Sequence, residues 1–256
     1  MLTISSLAEN RGVERVREEE LEEARAIQSV MLPADVLRAG PVTVAYKFQP
    51  VDIVGGDFLD YFELANGTVG FYVGDVSGKG LAAAMYAALT VGMLRGIHKT
   101  GQSPGKVLSA LNTRLMSRGG LRRHTAIVYG VFDPSSLEMR LASAGMPGPL
   151  HVSSRRCHIL ELSGIPPGLF QDAEYETLTV KLKPGDSTIL CSDGIIEAQN
   201  ARYEDFGTAR LTSICDAGCA LPPAELLDRI FSAVHDFTDV IQQHDDMAAA
   251  ILHLAF

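Results

Sequence analysis

From Val42 onward the sequence is a succession of short alternating or apolar runs separated by turn signals. That succession limits the fold more than any other feature. Residues 42–48 and 68–76 alternate apolar with small or polar residues, the period of a half-buried strand. Residues 124–132 and 137–143 read as a hairpin around Asp133-Pro134. Further strands are expected at 150–153, 157–160, 175–182, 188–191 and 247–254, with Pro184-Gly185-Asp186 as a turn. Helices are expected over the alanine-rich stretch 80–98, from Ser103-Pro104 to about Met116, and over 206–217 and 223–237. Hairpins dominate and repeated βαβ units do not. The pattern therefore predicts a largely antiparallel α+β sandwich rather than a Rossmann-type sheet.

A chain of 256 residues has room for one large domain, or one domain with an extension. The first 34 residues differ from the rest. Residues 14–23 hold six glutamates and two arginines. Leu21, Ala24, Ile27, Gln28 and Met31 then form a sparse stripe at helical spacing, and Pro33 ends the helix. This segment reads either as a solvated charged helix or as a connector that pairs with its copy in a dimer. The expected division is 1–34 and 35–256. The apolar runs fall far short of the ~20 residues that cross a bilayer, and the start has no signal-peptide pattern, so a cytoplasmic protein is expected. A net charge of −9 argues against nucleic acid as a ligand. Cys215 and Cys219 make a lone C-x3-C, so these two, with Cys157 and Cys191, are expected to be free thiols rather than zinc ligands.

The chemistry sits in acidic residues with unusual neighbours. Asp57 follows Val54-Gly55-Gly56. Asp75 lies in Gly74-Asp75-Val76-Ser77-Gly78-Lys79-Gly80. Asp193 lies in Cys191-Ser192-Asp193-Gly194, and Asp245 and Asp246 precede Met247. Any one of these is an ordinary turn or cap residue taken alone. Together, beside apolar strands, they are not. Carboxylates gathered at the mouth of a sheet resist ionising, and divalent cations relieve that. Hard ions take oxygen ligands, and flanking glycines let backbone carbonyls approach. The spacing hints at an all-oxygen metal site built from distant segments.

At these residues the chain resembles the metal-dependent protein phosphatase superfamily, and within it the branch typified by sporulation stage II protein E and sigma-factor-regulating phosphatases. The ordered signatures are Gln28-Ser29-Val30-Met31-Leu32-Pro33, Val54-Gly55-Gly56-Asp57-Phe58-Leu59-Asp60, Gly74 to Gly80, Ser192-Asp193-Gly194-Ile195-Ile196-Glu197, Phe206-Gly207 with Arg210-Leu211, and Asp245-Asp246-Met247. The resemblance implies an α-β-β-α sandwich of two antiparallel sheets flanked by helices, with two Mg²⁺ or Mn²⁺ ions at one edge. It implies that Asp75 bridges both ions and activates the attacking water through them. Asp57 and the Val76 carbonyl would hold the second ion, and Asp193 and Asp245 the first. Asp60, Glu197 and Asp246 would be outer groups that orient waters.

The implied activity is hydrolysis of phosphoserine or phosphothreonine on a regulatory protein, a STAS-type anti-sigma-factor antagonist. The acidic helix would be the connector to an upstream sensor domain or subunit. The chain departs from the branch where Ala144-Gly145-Met146-Pro147 replaces Ala-Gly-His-Pro, since Met146 transfers no proton. Ser77 stands where eukaryotic-type relatives carry a candidate general acid. His124 and His244 lie near the relevant segments, and Lys79 is a candidate phosphate grip. A catalytically weak phosphoprotein-binding module is the alternative. A two-metal nuclease fits the acidic charge poorly.

Overall fold

The computed structural model describes residues 4–64, 67–98, 102–117 and 123–255, with side chains from residue 16 onward. The Glu14 side chain, first of the acidic run, lies outside the described residues. In chain order the first elements are α1 (Ile4–Met31), β1 (Val36–Ala39), β2 (Val42–Gln49), β3 (Phe58–Glu63), β4 (Val69–Val76), α2 (Leu81–Ile97) and α3 (Pro104–Met116). There follow β5 (Thr125–Asp133), β6 (Glu138–Ala144), β7 (Leu150–Ser153), β8 (Arg156–Ile159), β9 (Leu178–Lys181) and β10 (Ser187–Cys191). The last are α4 (Asp193–Ile196), α5 (Gly207–Ala217), α6 (Pro223–Thr238) and β11 (Met247–Leu254).

The strands make two sheets, in the orders β1-β2-β11-β10-β7-β8 and β3-β4-β5-β6-β9. Every pairing is antiparallel. The period-2 alternation divides each central strand between two cores. Phe71 and Val73 of β4 and Val128 and Phe132 of β5 face Val44, Leu190, Ala248, Ala250 and Leu252 of the other sheet. The intervening Tyr72, Val76 and Tyr129 face α2 and α3 through Ala83, Ala87, Leu94, Leu108 and Leu111. On the far side, Ile189, Ala249 and Ile251 lie under α5 and α6, against Leu211, Leu227, Ile230 and Phe231. The result is the expected α-β-β-α sandwich. All four cysteines are free thiols, three of them buried.

Three elements escape the sequence pattern. β1 and the single-turn α4 are too short to carry a period. β3 is hidden for a different reason: Phe58, Leu59, Asp60 and Tyr61 are all buried, so neither face is polar. Asp60 is tolerated there because Arg95 of α2 meets its Oδ2 at 2.8 Å. The strand expected at 175–182 forms only over Leu178–Lys181, while Tyr175 is packed into the core under α3. On α1, Gln28 is buried and Leu21, Ala24 and Met31 are half-buried, but Ile27 leaves the stripe and is 68% exposed. Arg95 also reaches α1, donating to the Met31 carbonyl at 2.6 Å.

Candidate active site

Strand register brings the acids together. β3 pairs with β4 so that Phe58 faces Gly74. Continuing that register by one residue sets Asp57 across from Asp75. On β4, Asp75 shares the parity of Phe71 and Val73, so it belongs to the face turned toward the second sheet. In that sheet Cys191 of β10 pairs with Ala249 of β11. Hence Asp193, just after β10, and Asp245-Asp246, just before β11, meet at the same edge. Ser192 fixes this junction: its N–H donates to the Ala248 carbonyl at 2.8 Å, and its hydroxyl accepts from the Ala248 N–H at 2.9 Å. Gly194 lets α4 press on the start of β11. A Cβ there would fall 2.0 Å from the Asp246 carbonyl oxygen.

The loop at 51–57 is shaped from two sides. From below, the buried Asp246 carboxylate accepts the N–H groups of Val51 (2.7 Å), Gly56 and Asp57 (3.3 Å). From above, buried Gln28 of α1 donates to the Gly55 carbonyl (2.7 Å) and accepts the Gly55 N–H (3.1 Å). A Cβ on Gly56 would sit 3.0 Å from the Val76 carbonyl oxygen, so that carbonyl abuts the loop.

The electrostatics are those of crowded carboxylates. Asp57 is buried, and its Oδ2 has no hydrogen-bond partner. Burial pushes its pKa well up, and the Asp75 charge adds to this. Asp75 is pushed up to about 7 by burial, then by Asp193, Asp245 and Asp246. Asp193 is raised by burial and by Asp245. Glu197, exposed at the rim, is raised by burial and then by Asp193, Asp205 and Asp245. Asp246 is raised by burial against the pull of its three N–H donors. Lys79 offers a positive charge, 3.7 Å from Asp245 Oδ2, and donates to the His244 carbonyl. Arg123 donates to the Ser77 carbonyl close by, so the acids at this edge outnumber the two cationic side chains.

Among the described residues no three His, Cys, Asp or Glu side chains form a ready-made cage for one ion. The donor set nonetheless fits hard divalent cations, which keep several waters and take few protein oxygens each. An unpartnered, fully desolvated carboxylate oxygen on Asp57 is the observation that supports the fit.

The structure thus brings Asp57, Asp75, Asp193, Asp245 and the Val76 carbonyl to one edge, with Glu197 at the margin. Asp60 does not join them; its carboxylate is held by Arg95 and, at 3.4 Å, by the Tyr72 hydroxyl. Asp246 is turned to backbone N–H groups of the 51–57 loop. His124 contributes its backbone, accepting from Ser77 N–H at 3.1 Å and donating to Ser77 Oγ at 3.2 Å. Met146 is packed between the sheets. The positions that sequence reasoning left without a role are Gln28, Ser192 and Gly194. Their signal was present in the motifs, but only the backbone contacts explain it.

The Stage II sporulation protein E (SpoIIE) family model matches residues 65–255. The chain belongs to this family. Protein IcfG of Synechocystis is 26% identical over 91% of this chain, and the phosphoserine phosphatase RsbU of Bacillus subtilis is 24% identical over 94%. The match spans 39% of the length of IcfG and 72% of RsbU. The SiaA-PP2C domain of Pseudomonas aeruginosa shares the fold, with a TM-score of 0.84, 19% identity and coverage of 94% of this chain and 98% of that one. No helix of the described residues is long and apolar enough to cross a membrane.

Proposed function

We propose that the chain is a cytoplasmic metal-dependent protein phosphatase acting on phosphoserine or phosphothreonine of a regulatory partner. The observation that supports this most is the convergence of Asp57, Asp75, Asp193 and Asp245 at one edge, with Asp57 Oδ2 unpartnered. Asp57, Asp75 and the Val76 carbonyl would hold one ion, and Asp75, Asp193 and Asp245 the other. Two Mn²⁺ or Mg²⁺ ions so held supply an activated water and offset charge on the phosphoryl oxygens. The protein's own part is to hold these acids in place through Asp246, Gln28 and Ser192, and to draw charge away from Asp245 through Lys79. Glu197, exposed beside Asp193, orients water at the rim. Asp60 and Asp246 act by positioning.

The naming of RsbU as a phosphoserine phosphatase supports this substrate class. From the family resemblance of the sequence motifs, we propose a STAS-type anti-sigma-factor antagonist as the partner, with a sensor domain or subunit acting through α1. Hydrolysis of p-nitrophenyl phosphate and of a phosphoserine peptide is expected with Mn²⁺ and not with chelator. Equal rates in both would overturn the metal-dependent reading. Tight peptide binding without turnover would favour the catalytically weak binding module, the reading that Met146 in place of the branch's histidine also favours.

The 1–34 segment is proposed as a dimerising connector to the 35–256 domain. Val16, Ile27 and Val30 stay exposed on α1 while Gln28 grips the 51–57 loop. Light scattering is expected to show a dimer for the whole chain and a monomer after removal of residues 1–30. An unchanged mass would exclude the connector role.

A further inference from the structure

A cavity of about 100 Å³ lies beside the acid cluster. Gly194 and Asp245 line both. The other walls include Ala198, Val234 and Thr238 at the end of α6, and Ile241. One side is braced by a chain of hydrogen bonds. His235 Nε2 meets Gln49 Oε1 at 3.0 Å, Gln49 Nε2 donates to Gln243 Oε1 at 2.7 Å, and Gln243 Nε2 donates to the Asp245 carbonyl at 2.7 Å. The chain ties the cavity wall to the backbone of Asp245.

The mouth is shaped by a strained residue. Asp239 ends α6 at φ 51 and ψ −114, a conformation that side chains other than glycine rarely adopt. Its N–H still closes on the His235 carbonyl at 2.9 Å. The turn leaves Ile241 37% exposed at the rim. Backbone strain at a cavity mouth is a reason to look for a ligand.

Size and walls select the ligand. The cavity is smaller than the ~150 Å³ space that holds benzene, and well below the ~300 Å³ of the smallest drug-sized pockets. It has no room for a nucleotide or cofactor. Ala198, Val234, Ile241 and Met247 offer aliphatic surface, and His235, Asp239, Gln243 and His244 set polar groups around it. Because Gly194 and Asp245 are shared, an occupant of the cavity lies next to any phosphate held at the acids. We propose that this cavity is a specificity subsite for one Val- or Leu-sized side chain of the substrate polypeptide, next to the phosphorylated residue. The proposal rests on the phosphatase reading.

The test uses phosphoserine peptides on a Gly/Ser background, with Gly, Val, Leu or Glu on either side of the phosphoserine. One flanking position is expected to favour Val or Leu over Gly by about 10-fold or more in kcat/KM, the discrimination an apolar pocket achieves. Thr238→Phe, which fills the cavity from its rim, is expected to erase that preference and leave p-nitrophenyl phosphate turnover unchanged. Ile241→Ser removes an apolar wall and is expected to weaken the preference; it serves as the readout if a thermal melt shows the phenylalanine variant unfolded. A flat native profile overturns the subsite, as does a preference that survives both changes. Fluorescence anisotropy of labelled peptides with Mn²⁺ gives a second arm. If the native chain hydrolyses nothing, the phosphatase reading falls, while tighter binding of Leu than Gly peptides still supports the subsite and equal binding removes it.

Discussion

Asp75→Asn is expected to lower kcat for p-nitrophenyl phosphate by about 10³-fold and to raise the melting temperature of the metal-free chain above pH 7. Removing one preorganised electrostatic group commonly lowers turnover by about 10²–10³-fold, and Asp75 would serve both ions. Asparagine is isosteric, so β4 and its pairing with Ala126 are retained. The stability effect has the opposite sign. The folded chain raises the Asp75 pKa to about 7, by burial first and then by Asp193. A carboxyl so raised contributes stability that is fully present below its ordinary value near ~3.9 and is lost as pH climbs through about 7. Asparagine never ionises, so that loss disappears. Each kcal/mol of relieved repulsion is worth roughly 2–4 °C in a domain of this size. Turnover with Mn²⁺ and melting in chelator from pH 5 to 8 check both halves. An active variant, or one that melts lower than native at pH 8, would remove Asp75 from the centre of the cluster.

That opposition explains what was legible in the sequence. Acids that destabilise the folded chain are conspicuous, because nothing in packing calls for them beside Gly74 or Gly194. Long strands with an alternating or continuous apolar run, such as β2 and β11, were equally visible. β3 was not, since a buried Asp60 paired to Arg95 erases the polar face that a strand normally shows. The difference in role between Asp245 and Asp246 was only partly readable. Adjacent residues at the start of a strand point to opposite faces, and pairing partners from residues 51–57, nearly 200 positions away, decide which acid is turned inward. Likewise Gln28 looks like one more polar residue on an acidic helix until the Gly55 backbone meets it. Short-range patterns record burial and period. They do not record long-range backbone partners.

The two adjacent acids are expected to fail in opposite ways. Asp246→Ala should lower unfolding free energy by about 3 kcal/mol or more and also depress turnover. Asp245→Ala should depress turnover while leaving stability within about 0.5 kcal/mol. Asp246 is 3% exposed and accepts three backbone N–H groups. Truncation orphans all three donors, at about 1–3 kcal/mol for each that stays buried. It also frees the loop that carries Asp57, because Gly55 packs so closely that a Cβ there would lie 2.5 Å from the Asp246 carboxylate. Asp245 has 42% of its side chain exposed and a long 3.7 Å contact to Lys79, which in water is worth little. Its removal relieves repulsion on Asp75 and Asp193. Urea titrations with unchanged slope would show the midpoint falling only for Asp246→Ala. If Asp245→Ala were the unstable variant and Asp246→Ala the stable one, the loop would be anchored by the wrong acid and the division of roles would have to be reversed.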